Sequence, residues 1–184
     1  MSDKLDLSIV IPVFNEGENV GELYNRLNVV LSRLGKTSEI IFVDDGSMDD
    51  TFKKLKAIKD NKIKIVRFQR NYGKAAALSC GFKKSQGNFV ITMDGDLQDD
   101  PKEIPRFLEK LEEYDMVSGW KSKRHDPVSK TLPSKFFNAL TRYITGVKIH
   151  DFNCGFKGYR NYVVKNIRLY GEFHRYIPAL AHWK

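Results

Sequence analysis

The chain has 184 residues, 41% hydrophobic and 29% charged, with 13 Gly and 6 Pro. That suits one domain with a sizeable core and excludes collagen-like, low-complexity and disordered classes. Its formal charge of +8 is unevenly spread, for residues 1–120 carry 18 Lys and Arg against 20 Asp and Glu, whereas 121–184 carry 13 against 3; such a segregated field draws phosphate groups to the last third.

Leu7-Ser8-Ile9-Val10-Ile11-Pro12-Val13 is a β-branched run closed by a proline and reads as a buried strand. The spacing of Val20, Leu23, Leu27, Val30, Leu31 and Leu34 predicts a helix over Asn15–Leu34, with Asn15 or Glu16 at its start and Gly35 as its stop. A second strand is expected at Glu39–Val43, a helix at Asp50–Lys59, a third strand at Lys64–Phe68, a helix at Gly73–Ser85 and a fourth strand at Asn88–Met93. Asp100-Pro101 opens a helix over Lys102–Glu113, because proline in the first turn loses no needed hydrogen bond. A fifth strand follows at Met116–Ser118, then a looser basic segment with a helix at Ser134–Thr145, and order returns near Phe152–Tyr159. Strands alternating with helices predict a parallel sheet covered on both faces, with ligands at the carboxyl ends of the strands, just after Ile11, Val43 and Met93.

Two of those strand ends are acidic. Val43-Asp44-Asp45-Gly46-Ser47-Met48-Asp49-Asp50-Thr51 reads as an Asp-Gly turn with Ser47 or Asp49 capping the next helix. Two adjacent carboxylates exceed what a turn requires, however, and one facing the crevice can accept from a base N–H or a ribose hydroxyl. Met93-Asp94-Gly95-Asp96-Leu97-Gln98-Asp99-Asp100 packs four acids into seven residues. Asp99 and Asp100 suit a turn and helix cap, but Asp94 and Asp96 repel unless a cation joins them. Mg²⁺ uses one or two carboxylates plus substrate phosphates, so the pair is a candidate clamp on a metal–diphosphate. An EF-hand is excluded by spacing, and neither a G-x-G-x-x-G nor a P-loop motif occurs.

The basic region contains Lys121, Lys123, Arg124, His125, Lys130 and Lys135, and each lysine alone reads as part of a solvated face. Asp151, one of only three acids after residue 120, is either an ion-pair partner or a positioned base or orienter. The four histidines lack metal-ligand spacing. Cys80 and Cys154 are too few for a disulfide framework and point to a reducing, cytosolic setting. No stretch approaches the roughly 18 consecutive apolar residues of a membrane span.

Taken together, Ile9-Val10-Ile11-Pro12-Val13-Phe14-Asn15-Glu16, Val43-Asp44-Asp45-Gly46-Ser47, Arg70-Asn71-Tyr72-Gly73-Lys74, Met93-Asp94-Gly95-Asp96-Leu97-Gln98 and Asp151-Phe152-Asn153-Cys154-Gly155-Phe156 resemble the inverting family-two glycosyltransferases, in the dolichol-phosphate mannose synthase and bacterial polyprenyl-phosphate glycosyltransferase branch. The resemblance implies an α/β GT-A fold, a Rossmann-like mostly parallel sheet with helices on both faces. It implies one catalytic domain, with residues 1–120 as the nucleotide and metal half and 121–184 as the acceptor side. It also implies that Pro12, Phe14, Glu16, Val43, Asp45, Asp94, Gly95 and Gln98 contact the nucleotide-sugar, and that Asp94, Asp96 and Gln98 hold Mg²⁺ or Mn²⁺. Asp96 and Asp151 become the catalytic pair, and Lys121, Arg124 and Lys130 hold phosphate or acceptor. The implied partners are a UDP- or GDP-sugar, a polyprenyl phosphate and a membrane surface, with no nucleic acid; a homo-oligomer stays open. Members of this branch usually continue into membrane helices, so the expectation is a piece that stops short of its anchor and belongs at the cytoplasmic membrane face. The competing expectations are a basic module binding phosphate or membrane without catalysis, and a phosphatase of the haloacid-dehalogenase type.

Overall fold

β1 (Leu7–Val13) is apolar on both faces and lies in the middle of a six-stranded sheet, between β2 (Ser38–Asp44) and β4 (Phe89–Thr92). The computed structural model describes residues 5–120, 146, 147, 149, 151–171 and 173–183. Within them the sheet order is β3-β2-β1-β4-β6-β5, with β3 at Ile63–Arg67, β5 at Met116–Ser118 and β6 at Lys157–Arg160. β1 pairs in parallel with β2 and β4, and β2 with β3. β6 runs antiparallel to both β4 and β5.

Side-chain alternation along the strands sorts the core into two layers. Leu7, Ile9, Ile11 and Val13 of β1 share one layer with Leu23 and Leu27 of α1 (Val20–Arg33), Leu55 of α2 (Thr51–Ala57) and Phe107 of α4 (Ile104–Leu111). Val10, Ile41 and Val43 face the other way, against Ala77, Leu78 and Phe82 of α3 (Lys74–Lys84). Val163 and Val164 of α5 (Asn161–Asn166) and Ile177 of α6 (Ile177–His182) complete that second layer. Helices therefore cover both faces, as the strand–helix alternation predicts.

Three differences from the sequence expectation have physical causes. α1 begins at Val20 rather than Asn15, because Asn15 adopts φ +54° and residues 15–17 are bound to the loop after β2. The helix expected over Lys102–Glu113 is a 3-10 turn at Pro101–Glu103 followed by α4, with Asp100 accepting from the Lys102 N–H at 3.0 Å. The antiparallel return of β6 and the short elements after it carry no strong periodicity; β6 is only four residues long and is specified by its two neighbours. The helix expected at Ser134–Thr145 lies outside the described residues.

Candidate active site

The chain steps outward from β1 to β2 and β3, then returns to β4 on the other side of β1. This reversal leaves a crevice at the carboxyl ends of the strands, the usual ligand position in such sheets. A cleft of about 350 Å³ opens there. It is lined by Pro12, Val13, Phe14 and Glu16 after β1, Asp45 after β2, Asn71, Gly73 and Lys74 at the start of α3, and Asp94, Gly95 and Asp96 after β4.

The first two loops are laced together. The N–H groups of Asn15, Glu16 and Gly17 donate to Ser47 Oγ at 2.9 Å, Thr51 Oγ1 at 2.9 Å and Asp49 Oδ2 at 3.0 Å. Asn15 Oδ1 accepts in return from the Met48 N–H at 2.9 Å. The Thr51 hydroxyl, donating to Asp49, holds that carboxyl below the usual carboxylate value despite partial desolvation. The cap of α2 falls to Asp50, whose side chain makes no capping bond, rather than to Ser47 or Asp49; Asp49 accepts from the Thr51 N–H at 3.0 Å, and with Ser47 it fixes the shape of the first loop. Gly46 sits at φ +74°, and a methyl group there would overlap the Arg70 backbone.

Of the adjacent acids only Asp45 faces the cleft. Asp44 is wholly buried, accepts from the Ser47 N–H at 2.8 Å and lies 3.5 Å from the Arg67 guanidinium. The Asp45 oxygens accept from the Tyr72 N–H at 2.7 Å and the Gly73 N–H at 2.8 Å, so this carboxylate anchors the loop that launches α3.

After β4, Asp94 Oδ1 lies 2.5 Å from Lys74 Nζ. The buried Asp99 accepts from the Asp94 N–H at 3.2 Å and so braces the loop from within. Asp96 is exposed, and its Oδ1 accepts from the Gln98 N–H at 3.2 Å. Leu97 between them adopts φ +63°, a conformation that costs a branched residue of order 1–3 kcal/mol and gathers at functional loops. Gly155 lies against Asp94, and any Cβ there would collide with the Asp94 carboxylate.

The loop preceding β6 is tied down by a buried cation. Lys157 is 3% exposed, and its Nζ donates to the carbonyls of Phe152, at 3.1 Å, and Cys154. Burial pulls its pKa down from 10.5 to about 8. Burial also pushes the Cys154 thiol up, which fits a packing residue rather than a nucleophile. Asp151 is buried too, its Oδ1 accepting from the Asn153 N–H at 3.0 Å. Asn153, Cys154 and Gly155 line a small void shared with Lys74, Asp94, His174 and Arg175, so this loop abuts the acid site.

The structure thus gathers Pro12, Phe14, Glu16, Asp45, Asp94, Gly95 and Asp96 into one cleft. It separates two residues assigned with them. Val43 is wholly buried and packs its side chain under α3, so that side chain cannot reach a base. Gln98 lines grooves beside α1 and α4 instead of the cleft, because the Leu97 turn carries it to the far side. Asp151, paired with Asp96 in the expectation, is buried and is not among the residues that line the cleft. Lys121, Arg124 and Lys130 lie outside the described residues. Lys74 carried no assigned role. Its signal was available, since a cation at the first position of a helix opposes the helix dipole and calls for another reason to be there.

The family model for "Glycosyl transferase family 2" matches residues 8–168, so the chain belongs to that family. Dodecaprenyl-phosphate galacturonate synthase of Rhizobium johnstonii is 42% identical over 181 residues, 95% of this chain and 54% of that protein. Undecaprenyl-phosphate 4-deoxy-4-formamido-L-arabinose transferase of Pseudomonas aeruginosa is 38% identical over 179 residues, 95% and 53% respectively. The chain thus spans about half the length of these relatives. Among solved structures, glucosyl-3-phosphoglycerate synthase from Mycobacterium tuberculosis in complex with Mn²⁺ and UDP-glucose superposes with TM-score 0.69 at 20% identity, covering 90% of this chain and 59% of that one. That likeness establishes the GT-A fold.

Proposed function

We propose that the chain is the catalytic domain of an inverting glycosyltransferase that moves a sugar from a UDP- or GDP-sugar to a polyprenyl phosphate at the cytoplasmic face of a membrane. The observation that carries the donor half is the charge of the cleft: among the described residues, Glu16, Asp45, Asp94 and Asp96 line it against the cation Lys74. A diphosphate would be repelled from such a surface unless a divalent ion came with it. Asp94 and Asp96 offer the hard oxygen donors that Mg²⁺ or Mn²⁺ prefers. No group of three His, Cys, Asp or Glu is clustered for a metal among the described residues, so phosphate and water would complete the shell. When bound, the ion would stabilise the charge that develops on the departing diphosphate.

The protein's own residues bind and orient. Pro12 and Phe14 offer an apolar wall for the nucleoside, and Asp45 has free lone pairs beside it. One acceptor phosphate oxygen forms a bond to the anomeric carbon as the bond from that carbon to the diphosphate oxygen breaks on the opposite face, which inverts the centre. A phosphate monoester with second pKa ~6 is already largely anionic at neutral pH, so it needs orientation more than deprotonation. Lys121, Arg124 and Lys130 supply cationic binding, and Asp151 acts as orienter of the acceptor side. The acceptor class is supported by the two relatives whose names include dodecaprenyl and undecaprenyl phosphate.

The test is calorimetric titration of UDP- and GDP-sugars with Mn²⁺. Asp96→Ala should remove metal-dependent donor binding while the melting temperature holds; retained affinity would overturn the role given to Asp96. Silence from every donor in the wild-type chain would overturn the transferase reading.

A further inference from the structure

Lys74 makes the ion pair that a divalent metal would have to break. Its Nζ lies 2.5 Å from Asp94 Oδ1, with the two side chains 34% and 25% exposed. The position is built rather than accidental. Asp45 holds the Tyr72 and Gly73 N–H groups, Gly73 takes φ +91°, and the next residue is Lys74 as the first of α3. A lysine there forgoes the dipole stabilisation that an acid would gain, and no acid stands in that first turn. Beside Asp94, Gly155 lacks the Cβ that would collide with the carboxylate where it meets Lys74.

An ammonium and a divalent ion repel each other at one carboxylate, so in the donor-free cleft they compete for Asp94. A diphosphate alters the balance, because its oxygens give Lys74 a second anionic partner and release Asp94. We propose that Lys74 is a positioning residue that makes metal binding depend on the nucleotide diphosphate, acting as the resident counter-ion of Asp94 until the donor arrives. The inference rests on the transferase reading above. It accounts for why the cation that lines the cleft among the described residues sits on a residue assigned to the metal.

The test reads free Mn²⁺ by electron paramagnetic resonance, titrating wild type, Lys74→Met, Lys74→Gln and Asp94→Asn alone, with UDP and with GDP. Circular dichroism confirms that each variant is folded. Wild type should bind Mn²⁺ weakly alone and roughly tenfold more tightly with UDP or GDP. Lys74→Met and Lys74→Gln should bind Mn²⁺ alone roughly tenfold more tightly than wild type, and the nucleotide should enhance their binding less than it does in wild type, since only direct ligation by the diphosphate remains. Asp94→Asn should lose both. If the Lys74 variants bind Mn²⁺ alone no better than wild type while UDP or GDP still enhances wild-type binding, Lys74 is not the counter-ion and the transferase reading stands. If wild type takes up no Mn²⁺ alone, with UDP or with GDP, the metal-dependent reading itself fails and this inference with it.

Discussion

Lys157 is the residue at which burial and charge conflict most directly. A lysine that is 3% exposed keeps its ammonium only because the carbonyls of Phe152 and Cys154 receive it. Its pKa, lowered from 10.5 to about 8, means that the unfolded chain holds this proton more tightly than the folded one. The cost of burial is therefore carried in full below pH 8 and relieved as pH rises from 8 to 10.5. Denaturant unfolding of wild type and Lys157→Met across that range should show wild-type stability rising relative to the variant. A constant difference would mean that Lys157 titrates normally. Asp44 shows the same conflict resolved differently, with a main-chain donor from Ser47 and the guanidinium of Arg67, which stacks over Phe52 with 4.5 Å between guanidinium and ring centre.

At the scale of elements, α3 is held at both ends by side chains from elsewhere. Asp45 binds the backbone just before it, and Lys165 of α5 donates to the carbonyls of Phe82, Lys83 and Ser85 at its end. Lys165→Met removes three charge-assisted bonds to terminal carbonyls and should cost about 1–2 kcal/mol, since water reaches the site and replaces part of the loss. Urea unfolding measures it, and UDP affinity should stay unchanged because Lys165 is at the opposite end of α3 from Lys74. Periodicity made β1 to β5 and α1 to α4 legible, including β1 and β5 to the residue. The start of α1 was not, because Asn15 to Gly17 donate to Ser47, Thr51 and Asp49 across the sheet end and no local pattern reports such a bond. The acids of the cleft were legible from their place after apolar strands. Their division of labour was not: Asp44 and Asp45 are neighbours in sequence, but only the fold turns one into the core and the other toward the cleft.

For the whole molecule, the charge asymmetry of the sequence becomes a question of how two halves share one sheet. Residues 1–120 contribute five strands and the acids of the cleft, and the more basic remainder returns through β6 to stand between β4 and β5. The two strands that flank the cationic segment, β5 and β6, are thereby next to each other at one edge of the sheet. Charge reversal at Lys121 and Arg124 together should lower partition onto vesicles containing anionic lipid, with a salt dependence shallower than that of wild type. Unchanged partition would return both residues to an ordinary solvated face. No helix among the described residues is long and apolar enough to cross a membrane.

The placement of β6 also dictates an order of assembly on the ribosome. β1, β2, β3 and β4 can pair as soon as residue 92 has emerged, but β5 has no strand to pair with until residues 157–160 arrive. Until then β4 presents an unprotected apolar edge, Phe89 to Thr92, of the kind that recruits strands from other chains. A nascent chain of 120 residues would hold Glu16, Asp45, Asp94 and Asp96 and still be prone to aggregate. The acids after β1, β2 and β4 and the cover for the edge of β4 are thus acquired at different moments of synthesis, separated by the translation of some forty residues.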